Sequence, residues 1–231
     1  MDARKTWVEV DQYITEKLLS TDAILDAVLD ANAAAGLPAI DVSPNQGKLL
    51  HLLAKLRGAR NVLEIGTLGG YSTIWLARAL PKNGRVITLE ANQKHAEVAK
   101  KNLELAGLSQ QVEVVVGPAL DTLPTLRAKG HGVFDVIFID ADKPNNPHYL
   151  KWALELSAEG TLIIGDNVVR EGEVVNQDSS DERVQGTRQF FDLLSAETRI
   201  DATALQTVGS KGYDGFVLGV VTDGEKKQEG K

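Results

Sequence analysis

The sequence predicts a doubly wound α/β domain with a mostly parallel sheet of about seven strands. The main observation is an alternation: between residues 61 and 166, five short apolar runs are separated by segments of helical periodicity. Because these runs are apolar on both faces, they are typical of parallel strands that helices cover on both sides. Two further apolar runs, 201–208 and 215–221, have no helix between them. They predict an antiparallel hairpin at the edge of the sheet.

Extra helices are expected in front of the sheet. Thr21 is the predicted cap of one helix, and Gly36 ends it at the position where glycine usually follows a helix. A second helix is predicted to begin with Ser43 as its cap and Pro44 in the first helical position. Gln46, three residues after this cap, is expected to close a capping box.

The elements of the sheet region then follow in order. The predicted parallel strands are residues 61–65, 85–90, 112–116, 134–140 and 161–166. The segments between them have apolar residues at helical spacing, which predicts the crossover helices of such a sheet. These helices are expected within residues 71–80, 93–107, 120–129 and 147–160. The polar run 176–183 is interpreted as a surface loop that leads into a further helix.

The 231 residues are predicted to form one domain, residues 1–222, in which residues 1–40 are the N-terminal helices. The tail 223–231 has no apolar residue and is expected to be disordered. The chain contains no cysteine, which excludes disulfides, thiolate metal ligands and a cysteine nucleophile.

The charge and hydropathy of the chain argue against some classes of partner. A net charge of −7 argues against broad binding to nucleic acid or to a membrane surface. The apolar runs are far shorter than the roughly 18 residues that a membrane span needs. The first residues, MDARKTWVEVDQY, lack the apolar core of a signal peptide. We therefore expect a cytoplasmic protein that does not bind a membrane.

A glycine loop follows the first predicted strand. In LEIGTLGGYS, Gly66, Gly69 and Gly70 allow a tight turn and a close approach to a ligand, although an ordinary strand-to-helix turn would also use them. The dinucleotide pattern GxGxxG is not met, because Leu68 stands at its second glycine. Glu90 ends the second strand, where a carboxylate can accept both hydroxyl hydrogens of a ribose. Together these features favour a ligand of the adenosine type.

Polar side chains also end the fourth and fifth strands. Asp140 lies in IFIDADK, and Asp166 with Asn167 lies in IIGDN. If the two strands are neighbours, their carboxyl ends meet at the edge where open α/β sheets bind ligands. Two carboxylates and an amide form an all-oxygen set suited to Mg²⁺, Mn²⁺ or Ca²⁺. Lys143 would stand beside this ion as a proton acceptor; the alternative is that these residues only cap strands and helices.

Several blocks of the chain resemble a known family. The pattern ExGxxxG from Glu64 to Gly70, an acid ending the second strand and FIDADK resemble class I S-adenosylmethionine-dependent methyltransferases. The blocks VLEIGTLGGYSTIWLARALPKNGRV, FIDADK and GDNVVREGEV together resemble the cation-dependent catechol and caffeoyl-CoA O-methyltransferases. The resemblance covers about residues 40–222. It implies a Rossmann-like fold, a homodimer and methylation of a hydroxyl on a small aromatic vicinal diol.

The resemblance also implies site residues. Asp140, Asp166 and Asn167 would hold the divalent ion, with Lys143 as the catalytic base. The methyl donor S-adenosylmethionine would be bound by Val42, Glu64, Gly66, Thr67, Ser72, Glu90, Ala119 and Asp140.

The sequence departs from the family at two positions that tend to shape the substrate pocket. Asn146 stands where the family usually has a tyrosine, and Arg170 where it usually has a tryptophan. Arg170 would suit an anionic or polar substrate. The histidines are expected on the surface or in packing, and only His148 is placed where it could line the cleft.

Other functions remain open at this point. The same chemistry could methylate a hydroxylated base of tRNA, although the acidic charge balance disfavours it. A nucleotide-cofactor oxidoreductase is disfavoured by the missing GxGxxG pattern. A cofactor-binding module without catalysis would not need the complete set of Asp140, Lys143, Asp166 and Asn167.

Overall fold

The computed structural model describes residues 2–224. Most of the predicted disordered tail, from residue 225 onward, lies outside the described residues. The described chain has eight α-helices, seven β-strands and two short 3-10 helices. The helices are α1 (Ala3–Leu18), α2 (Ala23–Ala34), α3 (Pro44–Arg57), α4 (Tyr71–Ala77), α5 (Gln93–Leu105), α6 (Ala119–Ala128), α7 (Asn146–Glu155) and α8 (Glu182–Ala196). The strands are β1 (Asn61–Ile65), β2 (Arg85–Glu90), β3 (Val112–Val116), β4 (Val136–Ile139), β5 (Leu162–Asp166), β6 (Ile200–Gly209) and β7 (Gly212–Val221).

The seven strands form one sheet in the order β3-β2-β1-β4-β5-β7-β6. The first five are parallel to one another, whereas β7 runs antiparallel to both β5 and β6. This confirms the predicted mostly parallel sheet with an antiparallel hairpin at its edge. Strands β1, β2 and β3 also have the predicted bounds.

Strand β4 is shorter than the predicted 134–140. The backbone N–H of Phe134 donates to the carbonyl of Leu156, at 2.9 Å, instead of joining a neighbouring strand. Phe134 is nevertheless buried, so its apolar character reflects packing beside the strand rather than membership of it.

Alternate residues of the central strands enter two apolar cores, one on each face of the sheet. On one face, Leu63, Ile137 and Ile163 pack with residues of α6, α7 and α8. On the other face, Val62 and Phe138 pack with residues of α2, α3, α4 and α5. The doubly wound arrangement therefore explains why these strands are apolar at nearly every position.

One predicted helix start in the N-terminal region was wrong in detail. The cap of α2 is Asp22 rather than Thr21, because the Asp22 carboxylate accepts the backbone N–H groups of Ile24 and Leu25 at 3.1 and 3.2 Å. Gly36 does follow the helix, with a φ of 68°.

Helix α3 begins as predicted, but the predicted capping box is not formed. The Ser43 hydroxyl accepts the backbone N–H of Gln46 at 3.2 Å, and Pro44 is the first helical residue. The Gln46 side chain does not close the capping box; its amide donates to Asp166 instead, at 2.7 Å. This contact brings the start of α3 to the end of β5.

Between residues 2 and 224, no helix combines the length and the apolar character that crossing a membrane requires.

Candidate active site

The carboxyl ends of four neighbouring strands meet at one edge of the sheet. The pairing of β1 with β2 and β4, and of β4 with β5, brings one residue at each strand end into a row. In spatial order these residues are Glu90, Gly66, Asp140 and Asp166. The predicted neighbourhood of β4 and β5 is therefore confirmed, and the two acids follow adjacent parallel strands.

Gly66 permits the close approach of β1 and β4 at this edge. Its φ is 103°, a conformation that other residues rarely adopt. A Cβ atom built on Gly66 would lie 2.1 Å from the backbone oxygen of Asp140. The glycine is thus required both for the turn and for the space that Asp140 occupies.

The carboxylate of Glu90 organises the glycine loop. One oxygen accepts the backbone N–H groups of Thr67 and Leu68 at 3.2 and 2.8 Å. The other accepts the backbone N–H of Asn92 at 2.9 Å and lies 3.5 Å from Nδ1 of His95. Leu68 has a φ of 50°, so the bond to Glu90 holds a strained loop residue in place.

Glu64 lies beneath this loop and is completely buried. Its carboxylate accepts the hydroxyls of Ser72 at 2.6 Å and Thr88 at 2.7 Å, and also that of Thr73. Burial raises the pKa of Glu64 to about 7, with a smaller contribution from the negative charge of Asp140. Glu64 therefore binds the first turn of α4 through Ser72 and Thr73.

Lys143 forms an ion pair with Asp140 beside the strand ends. Its Nζ lies 2.9 Å from Oδ1 of Asp140, and its side chain is only 7% exposed. The pair follows from the sequence DADK, in which the chain turns into a 3-10 helix at Lys143. An amine and a carboxylate are thus held together in a partly desolvated place.

Asp166 is buried and is held from two sides. Its Oδ1 accepts the backbone N–H of Asn167 at 2.8 Å, and its Oδ2 accepts the Gln46 amide at 2.7 Å. Burial, followed by the negative charge of Asp140, raises the pKa of Asp166 to about 7. A cation between these two carboxylates would offset both effects.

A cavity of about 560 Å³, which we call the main cavity, opens at this edge. It is lined by Lys143, by Asn167 and by seven of the eight predicted donor-binding residues. These seven are Val42, Gly66, Thr67, Ser72, Glu90, Ala119 and Asp140. Glu64 does not line it. Asp166 borders a smaller cavity of about 270 Å³ that also contacts Asn167, so the predicted metal ligands stand between the two spaces.

The donor set fits a hard divalent ion. It offers two carboxylates, from Asp140 and Asp166, and one amide oxygen, from Asn167. Asn167 has a φ of 55°, which shows that the chain turns sharply directly after β5. In the part of the chain that the structure describes, no three His, Cys, Asp or Glu side chains form a metal cluster. The predicted set differs from such a cluster because its third ligand is an asparagine.

Sequence reasoning missed other residues of the main cavity. His95 lines it beside Glu90, whereas His148 is exposed and does not line it. Tyr149 also lines it, and its hydroxyl donates to Asp142. Burial and this acceptor raise the pKa of Tyr149 above its ordinary value. Arg183 completes this group, and no local pattern distinguished it from other residues of its helix.

The two positions that depart from the family differ in their surroundings. Asn146 is fully buried, and neither polar atom of its amide has a hydrogen-bond partner among residues 2–224. Arg170 lines the main cavity with a φ of 56°. Its guanidinium lies 3.9 Å from the carboxylate of Asp214, whose other oxygen accepts the backbone N–H groups of Val169 and Arg170.

Three comparisons with known proteins gave concordant results. A family model described as O-methyltransferase matches residues 16–218. A catechol O-methyltransferase of Niastella koreensis is 57% identical over 212 residues, covering 92% of this chain and 96% of that protein. The crystal structure of an O-methyltransferase from Bacillus cereus in complex with SAH is 61% identical, with a TM-score of 0.93, and covers 94% of this chain and 99% of that one. An O-methyltransferase structure from Streptomyces achromogenes in complex with SAM is 49% identical, with a TM-score of 0.93, and covers 96% and 100%.

Proposed function

Because the chain belongs to the O-methyltransferase family, we propose that it methylates a hydroxyl of a small aromatic vicinal diol in a reaction that depends on a divalent metal ion. Membership of the family makes it an enzyme that uses S-adenosylmethionine as methyl donor. The dependence on a metal ion and the choice of a diol as acceptor are proposed here, and the residues of the candidate active site support both.

The observation that carries the proposal is the meeting of Asp140 and Asp166 at adjacent strand ends, with Lys143 paired to Asp140 at 2.9 Å. Carboxylate and amide oxygens are the ligands that Mg²⁺, Mn²⁺ or Ca²⁺ prefers. A vicinal diol would offer such an ion two further oxygens of the same hard type. The name of the Niastella koreensis relative, a catechol O-methyltransferase, supports the same class of acceptor.

Residues at this edge of the sheet would bind the methyl donor and the divalent ion. When bound, the divalent ion would supply positive charge that stabilises a phenolate, and S-adenosylmethionine would supply the methyl group. Glu90, which lines the cavity, would accept hydrogen bonds from ribose hydroxyls. Ser72 and Thr67 line the same side of the cavity. Asp140, Asp166 and Asn167 would hold the ion, and Asp140 would contact both the ion and the methyl donor.

Lys143 would accept the proton of the reacting hydroxyl. A bond then forms between the phenolate oxygen and the methyl carbon, while the carbon–sulfur bond breaks and leaves its electron pair on sulfur. The products are the aryl methyl ether, SAH and protonated Lys143. The residues of the site act mainly by holding the oxygen and the methyl carbon in line at short distance.

Of the other functions that the sequence left open, two are excluded and one has no support. Family membership excludes the nucleotide-cofactor oxidoreductase and the module without catalysis. Methylation of a tRNA base has no observation in its favour, and steep salt dependence of tRNA binding would be its signature. The homodimer stays a prediction, which sedimentation analysis of the purified protein can test.

The deciding experiment measures methyl transfer from S-adenosylmethionine to a panel of catechols. We expect activity with added Mg²⁺ and a loss of at least about 100-fold after EDTA treatment, restored by excess Mg²⁺. The matched acceptors are phenols with a single hydroxyl, which we expect to react poorly. Full activity in EDTA would contradict the metal dependence, and equal rates with single phenols would contradict the diol.

A further inference from the structure

Gln46, in the first turn of α3, contacts one of the residues that would hold the ion. Its Nε2 donates to Oδ2 of Asp166 at 2.7 Å, although the two residues are 120 positions apart. The other carboxylate oxygen accepts the N–H of Asn167 at 2.8 Å. Each oxygen of Asp166 therefore has one protein donor, and the plane of the carboxylate is fixed by two different elements.

Residues before and after Gln46 in the sequence fix its position. The hydroxyl of Ser43 fixes its backbone N–H at 3.2 Å, which determines where the helix begins. The next residue, Gly47, packs so tightly on Trp75 that a Cβ atom would lie 2.4 Å from the indole ring. Helix α3 therefore cannot rotate or shift without losing one of these contacts, and the amide of Gln46 stays directed at Asp166.

The same turn of α3 is anchored to the N-terminal helix. The amide of Asn45 donates to the backbone and carboxylate oxygens of Asp11 in α1, both at 3.2 Å. Asp11 in turn accepts the backbone N–H of Ser210, at the tip of the β6–β7 hairpin, at 2.7 Å. The support behind Asp166 thus extends through α3 to two elements at the edge of the smaller cavity.

We propose that Gln46 is a positioning residue that orients the carboxylate of Asp166 for binding a divalent ion; this inference rests on the proposed metal dependence. A carboxylate oxygen that accepts one hydrogen bond keeps a second lone pair for a metal. An amide suits this role because it donates without adding positive charge, whereas lysine or arginine would compete with the ion. Supporting hydrogen bonds of this kind typically change metal affinity by about 10–100-fold.

The test is direct Mn²⁺ binding, measured by the electron paramagnetic resonance signal of free Mn²⁺ with SAH at saturation. Gln46→Leu removes the donor, and Gln46→Met does so while keeping an unbranched side chain with high helix propensity. The matched control is Gln12→Leu, because Gln12 also donates its amide to a carboxylate, that of Glu16 at 3.0 Å, but on the exposed surface of α1. We expect both Gln46 variants to bind Mn²⁺ about 10–100-fold more weakly than the wild type and the control.

SAH affinity, measured by calorimetry, separates positioning from a general structural role. The inference requires SAH affinity to stay within about twofold while Mn²⁺ affinity falls by the larger factor. Equal losses of SAH and Mn²⁺ affinity, or Mn²⁺ affinity equal to wild type in the variant that folds, would overturn it. Wild-type protein that binds no Mn²⁺ would overturn the proposed metal dependence as well, so the two failures are distinguishable.

Discussion

The two sides of the main cavity are built differently. On the side of β1 and β2, the carboxylates of Glu64 and Glu90 are surrounded by donors from the protein itself. On the side beyond β4 and β5, the Nε of Arg170, which lines the cavity, and the amide of Asn146, which does not line it, are buried without a partner in the described chain. Asn167 and Arg170 also hold positive φ values of 55° and 56° there.

In the proposed function, the side of β1 and β2 binds S-adenosylmethionine and the side beyond β4 and β5 binds the hydroxyl substrate; we call them the donor side and the acceptor side. The donor side is complete without a ligand, and even the strained Leu68 is held by a 2.8 Å bond to Glu90. The acceptor side instead carries polar side-chain atoms, in Asn146 and Arg170, that no described residue satisfies. Donor binding should therefore depend on a rigid scaffold, whereas acceptor choice should depend on a few residues beyond β5.

Replacement of Lys143 should have the largest effect and should be confined to the acceptor side. We expect Lys143→Ala to lower kcat by about 10²–10⁴-fold, because the proton acceptor is lost, while SAH affinity measured by calorimetry stays unchanged. Lys151→Ala is the control, since Lys151 is an exposed lysine on the nearby α7. A variant that turns over at the wild-type rate would remove Lys143 from the mechanism.

Replacement of Glu90 should have a smaller effect, and this effect should be confined to the donor side. Glu90→Gln keeps the size of the side chain but loses the charge that strengthens its hydrogen bonds, so we expect SAH affinity to fall about tenfold. Mn²⁺ affinity should not change. The control Glu97→Gln alters an exposed acid of α5 that contacts only Gln93 of its own helix among the hydrogen bonds described. If Mn²⁺ affinity fell as much as SAH affinity, the two sides would not be independent.

Replacement of Arg170 should have the smallest effect. It should change only the preference between charged and neutral catechols. We expect Arg170→Met to lower kcat/KM for catechol carboxylates about three- to tenfold relative to neutral catechols, because a partly exposed guanidinium is lost. Arg199→Met, at an arginine paired with Glu197 outside the main cavity, serves as control. An unchanged ratio of the two kcat/KM values would show that Arg170 does not read the charge of the acceptor.

The sequence predicted the donor side better than the acceptor side, for a physical reason. Strand periodicity, the glycine loop and the acid ending β2 are local patterns, and the parallel sheet then brings Gly66 and Glu90 together by rule. The contact of Gln46 with Asp166 joins residues 120 positions apart. No local pattern specifies that contact, and the capping-box pattern pointed to a different partner for Gln46.

Helix caps show the same limit at short range. Thr21 and Asp22 are both good caps, and the choice between them depends on where α2 docks rather than on the two residues alone. The 3-10 turns after β4 and β5 gave no periodic signal at all. They contain Lys143 and Arg170, and the DADK motif predicted the place of Lys143 beside Asp140 but not the residues that surround it.

The place of β7 in the sheet has a consequence for how the chain matures on the ribosome. Strand β7 is last in sequence but lies between β5 and β6, where Asp166 pairs with Phe216. A nascent chain that has just produced β6 has no neighbour to which that strand can attach, and β5 keeps an open edge. Strand β5, which ends at Asp166, therefore gains its second neighbour only when the β6–β7 hairpin has left the exit tunnel. A stalled or shortened chain would expose the unpaired backbone N–H and C=O groups of β5, which favour aggregation.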